Sequence, residues 1–137
     1  MNIVQAETKA FVSANEKLTE EAILEKHKGW ESEFRSQAFK KKLEIKTEPV
    51  IVKDFRAIFW GYARPLANEE YDRDYLLTKV IGKDVLALNT SLYIGEKLSD
   101  YQKFLVETLG TLKISDEPFD VQKLTEEFRK DTEKKTD

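Results

Sequence analysis

Residues 75–114 carry the most regular pattern in the sequence, and this pattern restricts the fold more than any other feature. Two strand-like runs, Tyr75–Ile81 and Val85–Leu92, are separated only by residues 82–84, which begin with a glycine. Glycine in so short a connection supplies the positive φ that a tight hairpin needs. A three-residue loop would pair Val80 with Leu86 and give one nearly apolar face, so we predict an antiparallel hairpin in this register.

A helix is predicted to follow the hairpin. Ser99 and Gln102 have the spacing of a capping box at a helix N-terminus. The residues that recur at helical spacing after this start are Tyr101, Phe104, Leu105, Thr108 and Leu109. We expect Gly110 to end the helix and Thr111–Ile114 to return to the sheet as a short strand.

A second amphipathic helix is predicted from Thr19, a suitable N-cap residue that is followed by two glutamates. Its expected buried stripe consists of Ile23, His27, Trp30, Phe34 and Ala38. The three lysines at positions 40–42 lie where a helix C-terminus favours cations. Gly29 allows an alternative in which the helix kinks or breaks into two shorter helices.

The segment between the two helices is predicted to form strands. The runs with strand character are Leu43–Thr47, Val50–Val52 and Phe55–Tyr62. Alternation along the third run puts Trp60 and Tyr62 on one face and leaves an apolar face opposite. The sequence therefore predicts an α+β domain, with a twisted antiparallel sheet of about five or six strands covered by helices.

The length of 137 residues suits one domain with a substantial core. We expect a partly ordered N-terminal arm at residues 1–18, a single α+β domain at residues 19–128, and a charged flexible tail at residues 129–137. A last helix is predicted after Asp120, through Val121, Leu124 and Phe128.

Charge and composition exclude several classes of function. The 23 basic and 26 acidic residues give a net charge of −3, so no basic excess indicates nucleic-acid binding. No apolar run is long enough for a membrane helix, so at most a peripheral association with membranes is expected. The N-terminus lacks the pattern of a signal peptide. This absence leaves the location open: we expect the cell envelope or periplasm if Met1 replaces a removed signal peptide, and the cytoplasm otherwise.

The sequence contains no motif for catalysis or for a cofactor. The absence of cysteine excludes disulfides and thiolate metal sites. His27 is the only histidine, and its position in the helical stripe between Ile23 and Trp30 indicates a structural role at the border of a buried face. No catalytic residue, metal or cofactor is therefore expected.

An acidic loop leaves one alternative open. Glu69, Glu70, Asp72 and Asp74 supply carboxylates of the kind that bind calcium. The spacing is not that of an EF-hand, and Arg73 among the carboxylates would repel a cation. A solvated loop is the favoured interpretation, and a metal-assisted enzyme or a calcium-binding protein that uses the loop 69–74 is the alternative.

The aromatic run near residue 60 is the strongest candidate for a binding site. In this hypothesis Trp60 and Tyr62 hold a protein partner or a small apolar ligand, and Arg56 and Arg64 orient it from the edge. Packing of the same rings in the core, under a helix, is the favoured structural interpretation of the cluster, and a binding surface is the functional alternative.

Several segments, taken in order, carry a resemblance to a known family. They are Trp30–Phe34, Ala57–Tyr62, Tyr75–Thr78, Val85–Asn89 and Phe104–Leu112, and together they extend over residues 20–114. In this order of elements the chain resembles the PsbP/DcrB-like group of small α+β domains, in which helices cover a twisted antiparallel sheet. The resemblance implies a protein of the cell envelope, often periplasmic or a lipoprotein, without a catalytic motif that transfers to numbered residues. It favours a non-enzymatic exported binding or accessory domain, and a cytoplasmic protein-interaction module is the alternative.

Overall fold

A computed structural model describes residues 1–50, 52–53, 55–65 and 71–112. The elements are β1 (Asn2–Glu7), α1 (Glu20–Phe39), β2 (Lys46–Glu48), β3 (Ile58–Ala63), β4 (Tyr71–Ile81), β5 (Asp84–Tyr93) and α2 (Leu98–Thr111), with a 3-10 turn at Thr8–Ala10. The five strands form one antiparallel sheet in the order β1-β5-β4-β3-β2. The predicted α+β class with an antiparallel sheet is confirmed. Neither α1 nor α2 combines the length and the apolar character that crossing a membrane requires.

The two helices cover opposite faces of the sheet. Under α2 lies a cluster of buried apolar side chains: Phe59, Tyr75, Leu77, Leu88, Leu92, Leu105 and Leu109. On the α1 side a second cluster contains Leu43, Trp60, Tyr62, Leu76 and Ala87. Both faces of β3 are therefore buried, because successive side chains of a strand point to opposite sides.

The β4–β5 hairpin has a tighter turn than the sequence predicts. Val80 lies opposite Val85 and Ile81 opposite Asp84, so the loop is Gly82-Lys83, with Gly82 at φ +57°. A glycine with positive φ at the first loop position suits a type II′ turn. The predicted register was wrong by one residue, because the criterion of a single apolar face fails when both faces of a hairpin are buried.

Helix α1 begins where the sequence predicts. Thr19 Oγ1 accepts a hydrogen bond of 3.2 Å from the backbone N–H of Ala22, which caps the first turn. The helix continues unbroken through Gly29 to Phe39, and Lys40 ends it in the left-handed conformation at φ 55°. The alternative of two shorter helices is therefore wrong.

The buried stripe of α1 differs from the predicted one. Leu24 and His27 are buried, and the inward positions continue with the half-buried side chains of Glu31 and Arg35. Trp30 and Phe34, predicted as core, are 39% and 64% exposed. Apolar periodicity does not reveal this stripe because two of its members are charged: Arg35 bonds to Tyr62 of the sheet, and Glu31 pairs with Arg35 on the helix itself.

The start of α2 also differs from its prediction. The helix begins at Leu98, and its N-cap residue Lys97 makes no side-chain capping bond. Ser99 therefore lies inside the helix and cannot form a capping box with Gln102, whose amide N–H donates a 2.5 Å hydrogen bond to the backbone carbonyl of Pro49. Leu105 and Leu109 are buried as predicted, whereas Phe104 is 52% exposed. The predicted start of the return strand at Thr111 is wrong, because Thr111 still belongs to α2. Residues 113–114 of this predicted strand lie outside the described residues.

Strand boundaries in the first half of the chain are shifted from the predictions. Strand β1 lies within the segment interpreted as an arm and pairs with β5. Strand β2 begins at Lys46 rather than Leu43, and Leu43 packs in the core instead. Val50 and Val52 are outside strands, and β3 begins at Ile58 rather than Phe55. The predicted last helix at 120–128 and the tail at 129–137 lie outside the described residues.

Candidate functional site

The structure separates the four residues of the sequence-based binding hypothesis. Trp60 and Tyr62 are buried under α1, so neither ring is exposed to a partner. The hypothesis that these two rings form an exposed binding surface is therefore wrong. The favoured structural interpretation, core packing, describes their positions. Arg64 lies near Tyr62 at the end of β3, whereas the exposed Arg56 precedes β3 and pairs with Glu21 at 3.1 Å. Tyr62 and Arg64 come together, and Arg56 is not part of their environment.

Asp74 connects Tyr62 and Arg64. Tyr62 Oη donates a 2.8 Å hydrogen bond to Asp74 Oδ2, and Ser91 Oγ donates one of 2.6 Å to Asp74 Oδ1. Arg64 Nη1 contacts both carboxylate oxygens, at 3.0 and 2.9 Å. Tyr62 of β3, Arg64 just after β3 and Ser91 of β5 therefore all direct polar groups at one buried carboxylate of β4, the strand between them.

Helix α1 extends this arrangement with a second arginine. Arg35 Nη1 donates a 2.7 Å hydrogen bond to Tyr62 Oη, and Arg35 Nε donates one of 2.9 Å to Glu31 Oε1. The Arg35 guanidinium carbon also lies 5.8 Å from the centre of the Tyr62 ring. We call the set Glu31, Arg35, Tyr62, Arg64, Asp74 and Ser91 the Tyr62 network. It links α1 to the sheet through hydrogen bonds in which charged groups take part, the stronger class of such bonds.

The Tyr62 network is organised for holding the fold together. Tyr62 Oη accepts a hydrogen bond from Arg35 and donates one to Asp74, so both the acceptor and the donor capacity of the hydroxyl are used. Burial raises the pKa of Tyr62 to about 12, although Arg35 acts in the opposite direction. The phenol thus remains protonated near neutral pH.

Alkaline pH should weaken the fold through Tyr62. The unfolded phenol ionises near 10, whereas the folded one resists ionisation up to about 12, so the free energy of unfolding should fall as pH rises through this interval. Urea unfolding of the wild type and Tyr62→Phe at several pH values between about 9 and 11 measures the effect. The comparison is needed because a hydrogen bond with Glu96 also raises the pKa of Tyr101 to about 12. Equal pH dependence in both proteins would contradict the prediction.

His27 lies buried on the inner side of α1. Its ring is 5.4 Å from that of Phe11 and 6.1 Å from that of Trp30, measured between centroids. His27 Nδ1 has no hydrogen-bond partner among the described residues, and the same is true of Trp60 Nε1 and Asn89 Oδ1. Burial lowers the pKa of His27, with Glu31 opposing and Arg35 reinforcing the shift. This position agrees with the structural role predicted for the histidine.

Mild acid should destabilise the protein through His27. As pH falls below 6.5, the unfolded histidine binds a proton before the folded one does, so the free energy of unfolding should decrease. Because His27 is the only histidine, the effect can be isolated by comparison with His27→Gln. Urea midpoints of both proteins between about pH 7.5 and 5.5 should diverge, with the steeper fall in the wild type. Parallel curves would show that the buried ring does not control stability in this range.

The described part of the acidic loop is not a loop. Asp72, Arg73 and Asp74 belong to β4, and Glu69 and Glu70 lie outside the described residues. Arg73 Nη1 contacts Tyr75 Oη at 3.2 Å. Within the described ranges, no group of three or more His, Asp and Glu side chains could hold a metal ion.

An exposed aromatic surface lies along the flank of α1, beside the buried His27, where the sequence analysis predicted core. Trp30 and Phe34 are one helical turn apart, and the half-buried Phe11 packs against Trp30 at a centroid distance of 5.6 Å. We call Phe11, Trp30 and Phe34 the α1 aromatic surface. The sequence contains a signal for this surface, since Leu24, His27, Glu31 and Arg35 also recur at helical spacing. This stripe overlaps the predicted one at His27, and a helix on a sheet cannot bury both stripes completely.

Comparisons of the chain with protein-family models, with curated proteins and with solved structures found no match. The resemblance to PsbP/DcrB-like domains therefore stays a prediction, and a functional proposal has to rest on the geometry of the chain itself.

Proposed function

We propose that the chain is a non-enzymatic binding domain that holds a protein partner on the α1 aromatic surface. The observation that supports this is the exposure of Trp30 and Phe34 on a helix whose inner side is already buried. Isolated exposed apolar residues are common on protein surfaces. Two adjacent aromatic rings extended by a third are less common, and Trp is among the residues that contribute most to binding energy in interfaces.

The shape of this surface favours a protein over a small ligand. Small molecules bind in concave cavities that enclose most of their surface. Trp30 and Phe34 lie on the flank of α1, beside the buried stripe, where their exposed rings form a patch that a flat or grooved protein surface can cover. Two nearby charged side chains already have partners within the chain, Lys26 with Glu16 at 2.7 Å and Arg35 with Glu31 at 2.9 Å. The proposed partner therefore presents an apolar groove rather than a charged patch.

The buried titratable groups are occupied by contacts within the chain, which supports a role without catalysis. Asp74 and Tyr62 are hydrogen-bonded within the Tyr62 network, and His27 is closed off by aromatic rings. Groups that act as catalytic acids or bases have to reach a substrate. The proposed binding role does not depend on the compartment, and the location in the cell envelope stays a prediction.

Photocrosslinking at position 34 tests this function. A photoreactive phenylalanine analogue replaces Phe34 in the full chain expressed in its own cells, and irradiation should yield a discrete adduct with a protein of different sequence. The matched control carries the same analogue at Phe104, which is similarly exposed but lies on α2, on the opposite face of the sheet. We expect the adduct at position 34 and not at position 104.

A second substitution tests whether the adduct depends on the α1 aromatic surface. Replacing Trp30 by serine in the chain with the analogue at position 34 should remove most of the adduct, because one of the aromatic rings of the contact is lost. An adduct with twice the mass of the chain is a contact between two copies and does not support the proposal. No adduct at position 34, or equal adducts at positions 34 and 104, would refute it.

A further inference from the structure

We propose that strand β1 pairs antiparallel with β1 of a second copy of this chain, which joins two five-stranded sheets into one continuous sheet. Among the described strands, β1 has β5 on one side and no strand on the other. Its outer edge therefore offers a row of backbone N–H and C=O groups to an added strand. This association uses a different element from the α1 aromatic surface and goes beyond the proposed function.

The two edges of the described sheet differ in how they are protected. Strand β2 has only three residues, begins with Lys46 and is followed by Pro49. Short length, lysine and proline are devices that prevent edge strands from pairing with other chains. Strand β1 has six residues, contains neither lysine nor proline, and pairs with β5 without an irregularity in register. Of these two edges, β1 is the one that is open to pairing.

Strand β1 also exposes apolar side chains on both faces of the sheet. Val4 lies opposite Ala87 and so faces the α1 side, where it is 42% exposed. Ile3 lies opposite Leu88 and faces the α2 side, and it is exposed as well. An added strand would place neighbours next to both side chains, which a partner that covers one face alone would not do.

Symmetry selects a register for two identical strands. A twofold axis perpendicular to the sheet keeps α1 of both copies on the same side, so only residues with side chains on the same face can lie opposite each other. An axis through Val4 places Val4 opposite Val4 and Ile3 opposite Gln5. An axis through Gln5 would instead place Ile3 opposite Glu7. An axis through Ile3 would place Ile3 opposite Ile3 but would leave Ala6 and Glu7 without a partner, whereas the axis through Val4 pairs all of β1. Cross-strand pairs of β-branched apolar residues are favourable, so the geometry points to Val4 at the axis.

The charge distribution of β1 is compatible with self-pairing. Glu7 is the only charged residue of the strand. With the axis at Val4, the two Glu7 residues lie at opposite ends of the pair, separated by six residue steps or about 20 Å. This is more than twice the Debye length of about 8 Å at physiological salt, so repulsion between them is largely screened.

Sedimentation equilibrium of the full chain tests the pairing. The wild type should show a reversible monomer–dimer equilibrium. In Val4→Lys, two lysines would lie opposite each other, and the dissociation constant should rise about tenfold or more. Ile94→Lys is the matched control, because Ile94 is an exposed aliphatic residue outside the strands and its replacement should leave the dimer intact.

A thiol provides a second readout that does not depend on Val4→Lys folding. The natural chain has no cysteine, so Val4→Cys carries one thiol per copy, and at the axis the two thiols face each other at a separation that small movements bring within disulfide range. Mild oxidation should crosslink Val4→Cys much faster than Ile94→Cys.

Three results would overturn the proposal: a monomeric wild type at all concentrations, a dimer unaffected by Val4→Lys in a folded variant, or equal crosslinking of the two cysteine variants. None of these measurements depends on position 34, so failure of the proposed partner surface would be recognised separately.

Discussion

Replacing Asp74 by alanine is expected to lower the free energy of unfolding by about 3–5 kcal/mol, the typical cost of removing one member of a buried ion pair. The variant leaves the half-buried Arg64 guanidinium without this carboxylate and removes the acceptor of the Tyr62 and Ser91 hydroxyls. Urea unfolding followed by tryptophan fluorescence measures the change in midpoint and slope. A loss this large is a substantial fraction of the about 5–15 kcal/mol by which domains are stable.

Three comparisons make the Asp74 result interpretable. Asp72→Ala removes an exposed carboxylate from the same strand and should change stability by no more than about 0.5 kcal/mol. Ser91→Ala removes one hydrogen bond and should cost about 1 kcal/mol, which keeps the test measurable if Asp74→Ala does not fold. The double variant Asp74→Ala with Arg64→Met should lose less than the two single changes added together. If Asp74→Ala and Asp72→Ala were equally stable, Asp74 would not be the centre of the network.

Gly61→Ala is expected to destabilise the protein by about 1–3 kcal/mol, the range for overpacking a filled core. A Cβ at position 61 would overlap the backbone oxygen of Asp74 and approach the Tyr75 ring, with Cε1 at 2.7 Å. The ring cannot easily withdraw, because it stacks on Phe59 with centroids 5.1 Å apart and planes at 4°. The same displacement would move Asp74 and so weaken the Tyr62 network.

The matched control is Gly110→Ala in α2. A Cβ at Gly110 meets nothing within 4 Å, and alanine is the better helix former by about 1 kcal/mol. Gly110→Ala should therefore raise the midpoint of thermal or urea unfolding, whereas Gly61→Ala lowers it. Shifts of the same sign in the two variants would contradict this account of Gly61.

Local sequence signals predicted the elements that depend on a few neighbouring residues. The Thr19 cap of α1, the glycine turn between β4 and β5, and the inward positions Leu105 and Leu109 of α2 were all predicted from spacing within about two turns or one loop. Each of these features is set by backbone geometry close in sequence. The capping box at Ser99 was wrong because α2 begins at Leu98, one residue before the predicted cap, and the Gln102 side chain turns to Pro49, a residue distant in sequence.

The candidate sites were less predictable. Trp60 and Tyr62 stayed candidates for a binding surface, although core packing was favoured, because nothing in their own strand shows that α1 lies over them. Trp30 and Phe34 looked like core because an apolar stripe is normally the buried side of a helix. The structure buries Trp60 and Tyr62 and exposes Trp30 and Phe34.

The sequence by itself determined the α+β class, the antiparallel pairing of β4 with β5, and the presence of two helices, since these follow from periodicity and turn residues. Only the tertiary structure decided which side of α1 faces the sheet. That choice depends on hydrogen bonds between groups far apart in the chain, such as Arg35 and Tyr62, which are 27 residues apart. Burying an arginine side chain costs free energy unless a hydrogen-bond partner lies within reach of it, and no local sequence pattern encodes the position of that partner.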